Sequence, residues 1–379
     1  MRRLALATYA INGSQICNMM LTAFAVPLLV GAEQYGQYAA VFALPAFLQS
    51  GIEAYAVLSL SRGVRSRSFW LSYAGLSLGA ALVSALVCAY LFDHAAAVWA
   101  GALAAGLMFR GAASALVYTH LSISFVRVNV TAEAVTFAVY VIVLLLGLAV
   151  QAPPYSIPLA MVVTASLVAG TVLLLAGLKP DVVGDQETAS HERGGWRFLW
   201  ARSYEDLSLT LMPLFLANCF GLSVAGEFRV IVSGMKVLSK LFPFRYEVIL
   251  RGSRLGEFDI RTFAKVSAVF VLLGFGIAAI LYLMRGNVFL SEGTAMWIVA
   301  LSSGALVASL AAFPVATLYS VRPVVISTAA AFATLASVIF GVLPLFLALF
   351  IVMNFATFAA SFIALMDGQR SSLRSLPAG

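Results

Sequence analysis

Three basic residues follow one another along an apolar stretch in the second half of the chain: Arg229, Lys236 and Lys240. Their spacings of seven and four residues place them on one face of a helix, with Ser233 between them. At about 1.5 Å per residue they cover roughly 16 Å of depth. A cation at the centre of a membrane-spanning helix costs roughly 2.5–3.5 kcal/mol, so we expect these residues to line a wet cavity and bind an anion.

A fourth cation of this kind is Arg110, near the middle of another apolar stretch. Arg110 and Lys236 lie too deep for their side chains to reach water easily, which favours a cavity. For Arg229 and Lys240 a second interpretation stays open, because long basic side chains can extend their charged ends to opposite membrane interfaces. The four cations are the candidate residues for binding an anionic ligand.

Two carboxylates, Glu53 and Glu133, also lie within apolar stretches. Each could pair with a buried cation or carry a coupling proton, and we favour the ion pair. Polar residues recur along the first apolar stretch and at the matching part of the seventh: Asn12, Gln15, Asn18 and Glu205. They either line the cytoplasmic mouth of the cavity or form hydrogen bonds between helices, and both interpretations stay open.

The composition is that of a membrane protein. Hydrophobic residues make up 62% of the 379 residues and charged residues only 10%, which leaves too little polar surface for a soluble protein of this size. The three cysteines lie in apolar stretches and the three histidines are isolated, so we expect neither a disulfide framework nor a metal site. No phosphate-binding loop, zinc-protease motif or catalytic triad is present, and we do not expect an enzyme.

The chain repeats itself at an offset of 190 residues. Gly31 aligns with Gly221 and Gly36 with Gly226, and in both places apolar stretches precede and follow the glycines. Glycines there predict a tight turn between two helices, because glycine tolerates positive φ. At the positions that match the three cations of the second half, the first half has small residues: Ala39, Ala46 and Ser50. The fold itself therefore does not require these cations, which assigns them to function.

The apolar stretches predict about twelve transmembrane helices, with the second at 36–61 and the eighth at 226–250. They form two six-helix lobes, 1–178 and 198–379, joined by a polar linker at 179–197 and related by a pseudo-two-fold axis along the membrane normal. Basic residues of the short loops concentrate on one predicted side, which places both termini in the cytoplasm. This asymmetry accounts for most of the net charge of +7 without a nucleic-acid partner.

Two segments resemble a known family. GAEQYGQYAAVFALPAFLQSGIEAYAVLSLSRG (31–63) resembles the opening of the polysaccharide-biosynthesis (Wzx-type, O-antigen) flippases of the multidrug/oligosaccharidyl-lipid/polysaccharide exporter superfamily. VAGEFRVIVSGMKVLSKLFPFRYEVILRGSRLGEFD (224–259) resembles the start of the second lobe of that family.

This resemblance implies a two-lobed carrier that moves an undecaprenyl-pyrophosphate-linked oligosaccharide from the inner to the outer leaflet of the bacterial inner membrane. The four cations would then contact the pyrophosphate or acidic sugars, with H⁺ or Na⁺ as the coupling ion and no other cofactor. Its partners would be membrane lipids and glycan polymerase or assembly proteins. Two other functions stay open, a small-molecule drug exporter of the same superfamily and a non-transporting membrane scaffold for glycan assembly.

Overall fold

The computed structural model of the chain describes residues 12–61, 67–118, 123–177, 207–242, 259–283 and 303–374. Regular secondary structure within these ranges is helical throughout, with no strand. The all-α fold class predicted from the sequence is therefore confirmed for the described residues.

The described helices follow the apolar stretches of the sequence. In the first half they are α1 (residues 12–30), α2 (Ala32–Ser61), α3 (Arg67–Leu91), α4 (His94–Tyr118), α5 (Ile123–Ala149) and α6 (Ser156–Gly177). In the second half they are α7 (residues 207–220), α8 (Leu222–Leu241), α9 (Ile260–Leu283), α10 (Ser303–Tyr319), α11 (Arg322–Ile339) and α12 (Leu343–Arg374).

Six of these helices, α3 to α6, α11 and α12, are long and apolar enough to cross a bilayer. The protein is therefore a membrane-spanning one. On α3 the leucines Leu71, Leu78 and Leu86 are exposed, as expected of side chains that face lipid rather than water. The helix α8 is not among the six, and it carries four charged residues within its span.

α1 and α7 share an irregular turn. Each contains one π-helical turn, at Leu21–Ala25 and at Leu207–Leu211, and each has a proline two residues after it, Pro27 and Pro213. A proline inside a helix removes a backbone N–H and crowds the preceding turn, which loosens the i to i−4 hydrogen-bond pattern there. The two halves thus repeat a local backbone feature as well as a sequence motif.

The repeated glycines have two different roles. Gly31 ends α1 with φ 84° and ψ 160°, and Gly221 ends α7 with φ 95° and ψ 164°, so the predicted turn lies at this pair. The other pair, Gly36 and Gly226, lies inside α2 and α8, because these helices begin four residues earlier than the predicted 36 and 226. The prediction of a turn was wrong for this second pair.

Gly36 and Gly226 instead bring α2 and α8 together backbone to backbone. A Cβ atom on Gly36 would overlap the carbonyl oxygen of Leu222, and a Cβ atom on Gly226 would overlap that of Ala32. Leu222 and Gly226 lie 190 residues after Ala32 and Gly36. The contact of Gly36 with Leu222 therefore corresponds, in the repeat, to the contact of Gly226 with Ala32. This reciprocal arrangement is the packing expected around a local two-fold axis.

The chain divides into two compact units. The first comprises Met1–Glu192 and Leu209–Val230, and the second comprises Arg193–Ser208 and Ile231–Gly379. α7 from Leu209 onward and the beginning of α8 thus pack with the first half of the chain. The predicted lobes, 1–178 and 198–379, divide the chain by its repeat and stay a prediction.

In the first unit α4 is the central helix and packs against α2, α3 and α6. Gly106 lets α4 approach α6, where a Cβ atom would lie 3.5 Å from the carbonyl oxygen of Val163. Large apolar side chains on both helices are fully buried, including Leu103, Met108 and Leu159. α4 is therefore held firmly enough to position a charged side chain within the bundle.

The second unit has an aromatic core. The ring of Phe242 lies edge-on to that of Phe270, with centroids 4.9 Å apart, and also to that of Phe263. α10 and α11 both pack against α12. Asp259 caps α9 by accepting hydrogen bonds from the Thr262 hydroxyl and the Arg261 N–H, which lower the pKa of its carboxyl.

Candidate functional site

Arg229 is held against α2 by the close approach of the two helices, since it follows Gly226 by three residues on α8. Its guanidinium carbon lies 4.8 Å from the ring centroid of Phe42, and the hydroxyl of Tyr38 is within hydrogen-bonding reach. An aromatic face attracts a cation through its quadrupole, so Phe42 and Tyr38 fix the orientation of the guanidinium.

The Arg229 side chain is buried but incompletely paired. Arg229 as a whole is only 9% exposed, and the Nε and Nη1 atoms of its guanidinium have no hydrogen-bond partner among the described residues. A buried polar group without a partner loses its hydration without recovering the energy, and this is costlier for a charged group. An oxyanion would supply the missing acceptors, which makes Arg229 the strongest candidate for binding one.

Arg110 is paired within the protein. Its Nη2 atom lies 2.9 Å from Oε1 of Glu133, which joins α4 to α5 by an ion pair. Asn18 of α1 donates to Oε2 of Glu133 at 2.7 Å and to the Glu133 backbone carbonyl at 3.0 Å, and Gln15 donates to Oε1 at 3.3 Å. One carboxylate thus joins three helices.

Two tyrosines connect the environments of Arg229 and Arg110. Tyr140 of α5 interacts electrostatically with Arg110, Glu133 and the Tyr38 hydroxyl, and Tyr38 contacts Arg229. Both tyrosines are buried in the apolar core of the first unit. The structure therefore pairs the predicted residues Arg110 and Glu133 directly, and it places Tyr38, which contacts Arg229, in the same buried core as Tyr140.

The network extends to the irregular turn of α1. The Thr22 hydroxyl donates to the backbone carbonyl of Asn18 at 3.0 Å, and the Tyr35 hydroxyl donates to the carbonyl of Thr22 at 3.0 Å. Asn12, one of the predicted mouth residues, is buried. Gln15 and Asn18 make bonds between helices, which is one of the two roles predicted for them.

The remaining predicted residues lie elsewhere. Glu53 accepts a hydrogen bond from Gln49 at 2.9 Å and interacts with Tyr73 of α3. Ser233, Lys236 and Lys240 are half-buried on the later part of α8. Glu205 lies outside the described residues.

Sequence analysis missed four residues of this region. Phe42 and Tyr38 supply the aromatic and hydroxyl contacts of Arg229, and Tyr140 interacts electrostatically with Arg110. Glu227 is a carboxylate buried to 5% exposure on α8. Glu227 could have been predicted by the same argument as Glu133, because both are carboxylates within an apolar stretch of the sequence. The sequence does not single out the aromatic residues, because aromatic side chains are common in any buried helix.

The arrangement is suited to holding an anion in an apolar surrounding, and it has no features of a metal site. No group of three or more His, Cys, Asp or Glu residues that could hold a metal ion occurs in the described part of the chain. No protein-family model matches this chain, and no curated protein matches it either. The function is therefore inferred from the residues themselves.

Proposed function

We propose that this protein is a flippase that carries an anionic, lipid-linked glycan across the bacterial inner membrane by alternating access. The cargo is an undecaprenyl-pyrophosphate-linked oligosaccharide that moves from the inner to the outer leaflet. The observation that supports this most strongly is the buried Arg229, two of whose guanidinium nitrogens have no hydrogen-bond partner among the residues that the structure describes.

The other cations of α8 extend this binding site in the proposal. Lys236 and Lys240 follow Arg229 at helical spacing, so a pyrophosphate that moves along α8 meets one cation after another. Lys and Arg both bind phosphate, Lys as a point charge and Arg through its planar fork. The cavity is lined by α1, α2, α7 and α8, and the lobes related by the 190-residue repeat move against each other.

The electrical driving force suits such a cargo. A pyrophosphate that carries about two negative charges gains about 4–5 kcal/mol per 100 mV on leaving a negative cytoplasm, at about 2.3 kcal/mol per charge. Export can therefore be driven in part by the membrane potential, with H⁺ or Na⁺ as the coupling ion.

Export of cationic drugs is supported less well. A cationic drug requires a carboxylate to bind it, and of the carboxylates Glu53, Glu133 and Glu227 the one at Glu133 is already neutralised by Arg110 at 2.9 Å. A scaffold for glycan assembly would need no unsatisfied guanidinium in its interior. Arg229 therefore favours the flippase over both alternatives.

The test is the amount of surface glycan in a bacterial strain whose glycan export depends on this protein. We expect Arg229→Ala, Lys236→Ala and their double variant to abolish export while the protein remains in the membrane at normal abundance. The basic replacements Arg229→Lys and Lys236→Arg should retain more export than Gln at either position, because charge is what the site supplies.

Matched controls come from the first repeat. Ala39→Ser and Ala46→Ser alter the corresponding positions of α2, and we expect them to leave export unchanged. Normal surface glycan in the Arg229→Ala and Lys236→Ala double variant would contradict the proposed function.

A further inference from the structure

The two amide side chains of α1, Gln15 and Asn18, are bonded at their nitrogen atoms only. We propose that their carbonyl oxygens bind hydroxyl groups of the sugar that follows the pyrophosphate in the lipid-linked cargo. The inference rests on the proposed function and deepens it, because it names the part of the site that recognises the glycan rather than the charge.

The first argument is that both oxygens are buried acceptors. Oε1 of Gln15 and Oδ1 of Asn18 have no hydrogen-bond partner in the part of the chain that the structure describes, and Asn18 as a whole is 6% exposed. A buried acceptor without a donor loses its hydration and gains nothing in return. Two such atoms on residues three apart, on one face of α1, indicate a ligand that both can bind.

The second argument is that Glu133 fixes the orientation of both amides. Asn18 Nδ2 donates to Oε2 of Glu133 at 2.7 Å and to its backbone carbonyl at 3.0 Å, and Gln15 Nε2 donates to Oε1 at 3.3 Å. A flipped amide would turn its carbonyl toward a carboxylate oxygen, and two acceptors repel each other. The atoms left for a ligand are therefore acceptors, so the ligand must supply the donors.

The third argument is charge, which favours a neutral donor over a cation. Oε1 of Glu133 lies 2.9 Å from Nη2 of Arg110, so this ion pair has no net charge. A metal ion on the amide oxygens would lie near the Arg110 guanidinium and be repelled by it. Hydroxyl groups are neutral donors, and a sugar carries several of them on adjacent carbons.

The fourth argument is position relative to Arg229, which belongs to the same compact unit. Counted back from Gly31, Asn18 lies 13 residues along α1, or roughly 20 Å, whereas Arg229 lies eight residues past Gly221, or roughly 12 Å. The two glycines lie at about the same level, because α2 and α8 touch within one turn of both. The amides are therefore on the predicted cytoplasmic side of Arg229, where the sugar of a cargo loaded from the cytoplasm would lie.

The second half of the chain does not repeat the two amides. Glu205 and Ser208 stand 190 residues after Gln15 and Asn18. The helical repeat by itself therefore does not require amides at these positions, just as it does not require a cation at the position of Arg229.

The test compares two ligands on the purified protein in lipid nanodiscs. One is undecaprenyl pyrophosphate, and the other is the undecaprenyl-pyrophosphate-linked oligosaccharide purified from a strain whose glycan export depends on this protein. The ratio of the two affinities is the gain that the sugars provide. We expect Gln15→Met and Asn18→Leu each to reduce this gain at least about threefold, as the loss of one hydrogen bond does, with the affinity for undecaprenyl pyrophosphate unchanged.

The matched control is Thr22→Val, one turn further along α1. The Thr22 hydroxyl donates to the backbone carbonyls of Asn18 and Met19 within the helix, so its removal should leave the gain unchanged. Gln15→Met removes only the 3.3 Å bond to Glu133, so it tests the proposal even if Asn18→Leu does not fold.

Two results would overturn the sugar site. One is equal affinity of the unaltered protein for the two ligands. The other is an unchanged gain in Gln15→Met and Asn18→Leu, including the case in which both ligands weaken alike, because a purely structural role of the amides predicts that outcome.

The sugar site and the proposed function fail in different ways. If the gain survives both amide variants while Arg229→Ala weakens both ligands, the sugar site is wrong and the flippase proposal stands. If the amide variants reduce the gain but Arg229→Ala changes neither affinity, the protein recognises a glycan without using an anionic group, and the flippase proposal is wrong.

Discussion

The pair α1–α2 and the pair α7–α8 have the same backbone features but different charges. Both contain a π-helical turn before a proline, both end their first helix at a glycine with positive φ, and both contribute one glycine to the reciprocal contact. Their side chains differ, since Arg229 on α8 corresponds to the buried Ala39 on α2.

Arg110 and Arg229, the two arginines of the candidate site, also differ in their partners. Arg110 has its counter-charge in Glu133, which α1 holds in place through Asn18. Arg229 has an aromatic face and a hydroxyl, but its Nε and Nη1 atoms have no hydrogen-bond partner in the part of the chain that the structure describes. The comparison teaches that the two halves share a backbone design, whereas Arg229, which the first half replaces by alanine, is the cation that we propose binds a ligand.

The largest effect on stability should come from breaking the paired arginine. Glu133→Ala would leave the Arg110 guanidinium and the Asn18 and Gln15 amides without their shared acceptor. Removing one partner of a buried ion pair typically costs about 3–5 kcal/mol of unfolding free energy. Denaturation in detergent, followed by loss of helical circular dichroism, measures this.

The control is the double variant Arg110→Met with Glu133→Gln, which removes both charges and keeps an acceptor for Asn18. We expect it to be more stable than Glu133→Ala alone. A Glu133→Ala variant as stable as the unaltered protein would mean that the pair does not hold α1, α4 and α5 together.

An intermediate effect is expected at the two helix ends. Gly31→Ala and Gly221→Ala both force a Cβ atom into a backbone conformation that only glycine adopts readily, at a cost of about 1–3 kcal/mol each. The same denaturation assay should give similar losses for the two, because their φ and ψ values nearly coincide. Gly13→Ala, in the helical part of α1 with open space around it, should not destabilise. A large loss at only one of the two sites would show that the repeat is not structurally equivalent there.

The smallest effect on stability is expected at the unpaired arginine. Arg229→Met removes a poorly satisfied charge and loses a cation–π contact, so the unfolding free energy should change by no more than about 1 kcal/mol. The same substitution at Arg110 should be clearly destabilising, because it leaves the Glu133 carboxylate without its cation. If Arg229→Met destabilises as much as Arg110→Met, Arg229 has a structural role.

Much of the fold could be predicted because hydrophobicity decides it. The spans follow from apolar length, and the second helix, predicted to end at residue 61, ends at Ser61. The starts of α2 and α8 were missed by four residues, because a glycine in sequence alone does not distinguish a turn from a close helix contact. The ion pair of Glu133 was the favoured interpretation, but Arg110 could not be named as its partner from spacing, since they lie on different helices.

The most direct test of the central claim is the binding of undecaprenyl pyrophosphate to the purified protein in lipid nanodiscs. We expect saturable binding, no comparable binding of the uncharged polyprenol, and at least about tenfold weaker binding, or about 1.4 kcal/mol, in Arg229→Ala and Lys236→Ala. Ala39→Ser should bind like the unaltered protein. Equal affinity for the pyrophosphate and the neutral polyprenol, or unchanged affinity in the double variant of Arg229 and Lys236, would contradict an anionic cargo.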